Sequence, residues 1–225
     1  MCQRAIFGLL LLAVPALQAG EVLDRIVASV NSHTILQSDW DEELRYESFM
    51  AGRIFEASTP ADRTSALDRL VDQQLLEEQV RTTELTPATS DEVEKQLQRL
   101  RDDHSRNGSA ASWNAALSKY GLGESEIRAR LTLELNQLRL VDARLRPSIQ
   151  IDAADIEKYY NDQFLPELRR SGAQPLTLQE AGPQIREILI QQKINEALAS
   201  WLEALRSQAQ IRIVVPNSPE PDRGQ

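Results

Sequence analysis

Between Gly123 and Pro147, apolar residues recur at Ile127, Leu131, Leu135, Leu138, Val141 and Leu145, always three or four positions apart. That spacing gathers all six on one face of a helix with 3.6 residues per turn. A helix over this stretch reaches roughly 35 Å at 1.5 Å per residue, about the width of a small domain. One whole apolar face of it must be covered by other elements. The chain is therefore built around helices.

The rest of the sequence supplies the partners. Ser38 reads as an N-cap, with Asp39, Asp41 and Glu42 in a first turn that suits the positive helix end. A helix runs on to about Glu56. Thr59-Pro60 opens a second, with Leu67, Leu70, Val71, Leu75 and Leu76 as its buried stripe. Ser90 starts a third, which Asn107-Gly108 ends, and Trp113, Ala116, Leu117 and Tyr120 form a short fourth that Gly121 terminates. Asp152 caps a helix bearing Tyr159, Tyr160 and Phe164, whereas residues 166–177 hold Pro, Gly and Ser and read as a loop or frayed end. A last helix spans about Leu178 to Gln208, with Pro183 in its first turns.

Strand patterns appear only near the two ends. Glu21 to Val30 sets Ile26, Ala28 and Val30 on one face, Asn31-Ser32-His33 is a turn, and Thr34 to Leu36 returns. Ile211, Ile213 and Val215 alternate with Arg212 and Val214. A two-stranded hairpin alone is marginal, so the first strand is expected to pair with the last. The fold class is mainly α, with a small sheet tying the N-terminal and C-terminal strands together.

Residues 1–19 have the order of a secretory signal peptide: Arg4, an apolar run from Ala5 to Val14, Pro15, then small residues before a cut after Ala19. Glu21 and Asp24 follow too soon for a spanning helix, which needs roughly 20 apolar residues. Cleavage would remove Cys2, the single cysteine, and leave 34 acidic and 24 basic side chains. Such a chain forms no disulfide and no thiolate zinc site. Its acidity argues against nucleic acid and against anionic membrane surfaces, which call for basic patches. The reading is of an exported body, 20–216, without stable membrane insertion, followed by a Pro-rich disordered tail, 217–225.

Reactive constellations are missing from the pattern. His33 and His104 each stand alone and read as surface histidines without the partners that acid–base or metal chemistry requires. Gly121 and Gly123 do not form a phosphate loop, because no strand precedes them and Glu126 takes the third glycine position. Asp39, Asp41, Glu42, Glu43, Glu77, Glu78, Asp152 and Asp155 fall in first helical turns or on exposed faces, where capping and solvation account for them. No catalytic residue, metal ligand or cofactor is assigned.

The order of these elements resembles a known family. Asp24-Arg25-Ile26-Val27-Ala28-Ser29-Val30-Asn31 followed by Thr34-Ile35-Leu36-Gln37-Ser38-Asp39 is similar to the opening of periplasmic SurA-type chaperones. Leu67 to Leu76 resembles their Leu-rich second helix, Leu131 to Ile151 their last N-domain helix and its exit, and Ala197 to Leu202 with Ile211 to Ile213 their closing helix and strand. Relatives usually carry parvulin-type prolyl isomerase domains before that closing helix. Here residues 166–177 stand in that place, too few for a domain of about 100 residues, so the resemblance implies the chaperone part without the isomerase.

What it implies is an ATP-independent holdase for unfolded polypeptides, outer-membrane proteins among them. A scaffold subunit of an envelope complex, able to pair as a homodimer, is the alternative, and a prolyl isomerase is a distant third. A holdase needs apolar surface open to water. Tyr46, Phe49, Met50 and Ile54, with Phe55 beside them, form one candidate lining; Trp113, Leu117 and Tyr120 form another. Both stripes also answer to the ordinary description of a buried helix face.

Overall fold

The computed structural model describes residues 24–104, 110–172, 174 and 176–214. The signal-peptide, Asn107-Gly108, Val215 and tail readings lie outside them. Strand β1 (Ile26–Val30) turns through Asn31, which adopts φ 52°, into β2 (His33–Leu36). Helices α1 (Gln37–Met50), α2 (Pro60–Thr82), α3 (Ser90–His104), α4 (Ala110–Ser118) and α5 (Glu124–Leu145) follow. After Ile151 come α6 (Ala153–Tyr159), a π turn over Tyr160–Phe164, α7 (Leu165–Ser171), α8 (Leu178–Gln208) and β3 (Ile211–Ile213).

The ends pair as the alternation indicates. The sheet order is β2-β1-β3, both pairings antiparallel, with Ala28 opposite Ile213 and Val30 opposite Ile211. Val27, Ala28, Val30 and Ile35 pack on Leu67, Val71 and Leu75 of α2, with Leu205 and Ile211 alongside. A bulge between Ile26 and Ala28 breaks the alternation, so Ile26 is exposed instead of sharing the buried face.

Caps set the helix boundaries, and two differ from expectation. Ser38 does not cap α1; its hydroxyl bonds to the Asp24 carboxylate, and Asp39 accepts instead from the Leu36 N–H at 2.8 Å. That helix ends at Met50, before Gly52 in the left-handed region (φ 61°), so Ile54 lies beyond it. Thr59 and Asp62 cap α2 reciprocally, as Thr177 and Glu180 do for α8.

Residues 166–171 are helical, not loop. Pro166 lacks an N–H, and in an α-helix its ring would press on the carbonyl four residues back. The π turn just before it, in which the Leu165 N–H reaches the Tyr160 carbonyl, lets the helix continue. Gly172 ends it at φ 67°, and only residues 172–177 separate α7 from α8.

Three apolar clusters result among the described residues. One lies among α1, α3, α4 and α5; the second lies under the sheet; the third joins Ile151 and Ile156 to Ala181 and Ile185 of α8. The 31-residue α8 thus touches the third cluster near its start and the second near its end, where Arg206 donates to Asp72 at 2.6 Å and to the Asp68 carbonyl at 2.9 Å.

Candidate peptide-binding trough

The structure divides the eight candidate residues. Phe49, Trp113, Leu117 and Tyr120 are core: all are buried, and the Phe49 ring meets Trp113 and Tyr120 edge-on at 5.8 and 5.6 Å. Trp113 satisfies its indole N–H on Glu124 at 2.8 Å. Phe49 and the Trp113–Tyr120 stripe face each other, which is why these four residues offer no surface. Phe55 packs on the edge of the same cluster, and Ile54 projects alone into solvent. His104 is no free surface histidine either; its ring stacks on Phe49 at 4.6 Å.

Tyr46 and Met50 do reach an open hollow. It lies between α1, α3 and α5, encloses about 360 Å³, and has Leu100, Leu131, Leu135 and Leu138 as its apolar lining. Leu138 is also part of the wall of an adjoining hollow of about 590 Å³, formed by Leu85, Thr86, Arg139, Ala143 and Gln191 between the α2–α3 connection, α5 and α8. Together they make a trough along α5. From Leu131 to Arg146 it runs roughly 22 Å at helical rise, the length of about six or seven extended residues.

Leu138 is the residue that sequence reasoning misplaced. Its spacing assigns it to the buried stripe of α5, yet it is 58% exposed, and Met50 is 40% exposed. The stripe is wider than one neighbour can cover: Ile127 and Leu131 face α3 and α4, whereas Leu140 and Val141 are buried further along. Leu138, in the gap, is left to water.

The polar groups around the trough are held by their neighbours. Tyr46 donates its hydroxyl to Glu134 at 2.9 Å, with the Arg130 guanidinium 4.8 Å from its ring centre. Burial first, and Glu134 second, push its hydroxyl well above the ordinary phenol range. Arg139 donates to the carbonyls of Thr86 and Pro87, both at 2.6 Å, and pairs with Glu92. Arg146 is taken up by Asp142 and Glu187. The arrangement presents an apolar floor between pinned polar walls, suited to holding a chain segment in extended form. Among the described residues no three His, Cys, Asp or Glu side chains converge to hold a metal ion, and no helix is long and apolar enough to cross a membrane.

No curated protein matches the chain. Residues 4–140 match the family described as the SurA-like N-terminal domain. The matched span ends within α5 and includes β1, β2 and α1 to α4; α1 and α3 among them build the first hollow of the trough together with α5. No isomerase domain stands between α7 and α8, where only residues 172–177 lie. With more than half of its length matched, the chain belongs to the SurA-like N-terminal domain family.

Proposed function

We propose that this protein is an ATP-independent chaperone of the bacterial periplasm that holds unfolded polypeptides, outer-membrane proteins among them, in the trough along α5. Family membership supports a chaperone-type or isomerase-associated role. The observation that carries the finer reading is Leu138, a large apolar side chain 58% open to water at the junction of two hollows. An open apolar floor in a chain with 34 acidic against 25 basic residues keeps a loaded carrier soluble. The leader-like opening, with Arg4, an apolar run and small residues to Ala19, supports export.

Without nucleotide, capture and release follow from affinity alone. A micromolar Kd corresponds to about −8 kcal/mol and leaves dissociation fast enough for handover. The test is light scattering of several unrelated unfolded proteins, with and without purified residues 20–225 and no ATP. Suppression across the set supports the reading. Indifference to all of them, together with tight capture of one folded envelope protein, would establish the scaffold alternative instead.

A further inference from the structure

A second concavity lies on the other side of the α1–α5 contact, between β2, α1, α2 and α5, and encloses about 180 Å³. Its walls carry four carboxylates, Asp39, Glu42, Glu43 and Glu77, against one cation, Arg130. The one cation is already spent: Arg130 is ion-paired with Glu43, whose side chain is 2% exposed, and lies 3.5 Å from Glu134. Asp39 uses one oxygen to cap the start of α1, and Glu77 meets Arg81 only at 3.4 Å on the surface. The cleft is thus left with excess negative charge.

Gln74 supplies a second observation. It lines the cleft, is 5% exposed, and its side-chain amide nitrogen has no hydrogen-bond partner. Buried polar groups in folded proteins are nearly always satisfied, so an orphaned one beside a charged cleft points to a ligand that completes it. At about 30 Å³ per water molecule the space holds roughly six waters, room for one long side chain and not for a folded module. With no metal-ligating triad among the described residues, the carboxylates suit an organic cation.

We propose that this cleft binds the ammonium or guanidinium group of a basic side chain, Lys or Arg, on a polypeptide held by the protein. One or two of the carboxylates of Glu42, Asp39 and Glu77 take the cation within the negative field of the cleft, and the Gln74 amide donates to a carbonyl of the same segment. Client choice then has two readers: the trough selects apolar content, and the cleft selects positive charge. The identity of the cation's carrier rests on the chaperone reading; the cleft itself does not.

The experiment separates the two. Isotope-labelled residues 20–225 are titrated with Nα-acetyl-lysine methylamide and, in parallel, with its norleucine counterpart, which has an uncharged side chain. Saturable shifts of the Gln74 side-chain amide and the Glu42 backbone amide with the lysine probe alone are expected, and at least tenfold weaker binding in the folded E42Q/E77Q variant. No response at Gln74, an equal response to the norleucine probe, or an unaltered response in the variant would overturn the proposal. A fluorescein-labelled unfolded peptide bearing Lys should bind about tenfold tighter than its Gln counterpart, and equal affinities would overturn the client assignment. Peptides that do not bind at all, with the lysine response intact, would sink the chaperone reading and leave the cation site standing.

Discussion

Leu138→Ala isolates the trough from the fold. A fully buried leucine contributes about 1.5–3 kcal/mol, so the 58% of Leu138 that remains open offers roughly 0.9–1.7 kcal/mol to a client that covers it. Alanine keeps the β-carbon, so the loss is about 1 kcal/mol, or roughly fivefold in Kd. The part of Leu138 already covered contributes about 0.6–1.3 kcal/mol to folding, which lowers the melting temperature by about 2–4 °C in a chain of this size. The control is Leu97→Ala, at a residue with no exposure. It should cost about 2–5 kcal/mol of stability and leave client affinity unmoved wherever the variant is folded. The assay is fluorescence anisotropy of a labelled unfolded polypeptide, with thermal melts of each variant. Unchanged affinity in Leu138→Ala, or an equal affinity loss in folded Leu97→Ala, would refute the assignment of the trough.

Other outcomes follow from the charged groups. Arg130→Met leaves Glu43 buried and unpaired, and urea unfolding should show a loss of about 3–5 kcal/mol; adding Glu43→Met should recover most of it, and a single variant as stable as the parent would refute the pairing. Arg206→Ala removes the link from α8 to Asp72 and Asp68, so about 1–2 kcal/mol should be lost, with faster amide exchange in β3 and none added in α6. Acid should unfold the protein. Asp62 is held at about 2, below its ordinary 3.8, chiefly by the Thr59 hydroxyl and backbone and then by Arg53; Glu124 is lowered by Arg101 first, and Glu180 by its bonds to Thr177. Each folded value lies below the unfolded one, so this stability is present above about pH 4.5 and is lost as pH falls through the folded values. Glu42 has the opposite sign, raised by burial and then by Glu126, so Glu42→Gln should raise the melting temperature at pH 7; a lower one would contradict that sign.

Local signals account for most of the architecture. Thr59-Pro60 marks a helix start because a hydroxyl and a carboxylate three residues on satisfy orphan N–H groups within one turn. Thr177, which reads from sequence as the last residue of a loop, does the same for α8. The pairing of β1 with β3 was legible because two lone strand patterns have few other ways to satisfy their backbones. The candidate site was less so. Phe49, Trp113 and Tyr120 have the composition of a binding lining, but whether an apolar stripe is lined or buried depends on what packs against it, and that is non-local. Glu43 shows the same limit: it looks like a solvated acid on an exposed face of α1 until Arg130, far along the chain, arrives beside it. Pro166 misled in another way, since a π turn upstream absorbs it.

On the proposed chaperone reading, the size of the trough bears on how a holdase without ATP avoids trapping its clients. A micromolar Kd requires about 8 kcal/mol net, and ordering a flexible segment costs a further 2–5 kcal/mol, so contacts must supply roughly 10–13 kcal/mol. At about 25 cal/mol per Å² that is on the order of 400–520 Å² of apolar surface removed from water as a lower bound, because lost rigid-body freedom must be offset as well. Two or three large apolar side chains in a six- or seven-residue stretch meet that figure, and a longer hydrophobic run gains nothing once the 22 Å of trough is filled. Affinity should therefore rise as an unfolded peptide is lengthened to about seven residues and then level off. A steady rise well beyond that length would show that clients are bound elsewhere, across the body of the protein, and that the trough along α5 is only one contact among many.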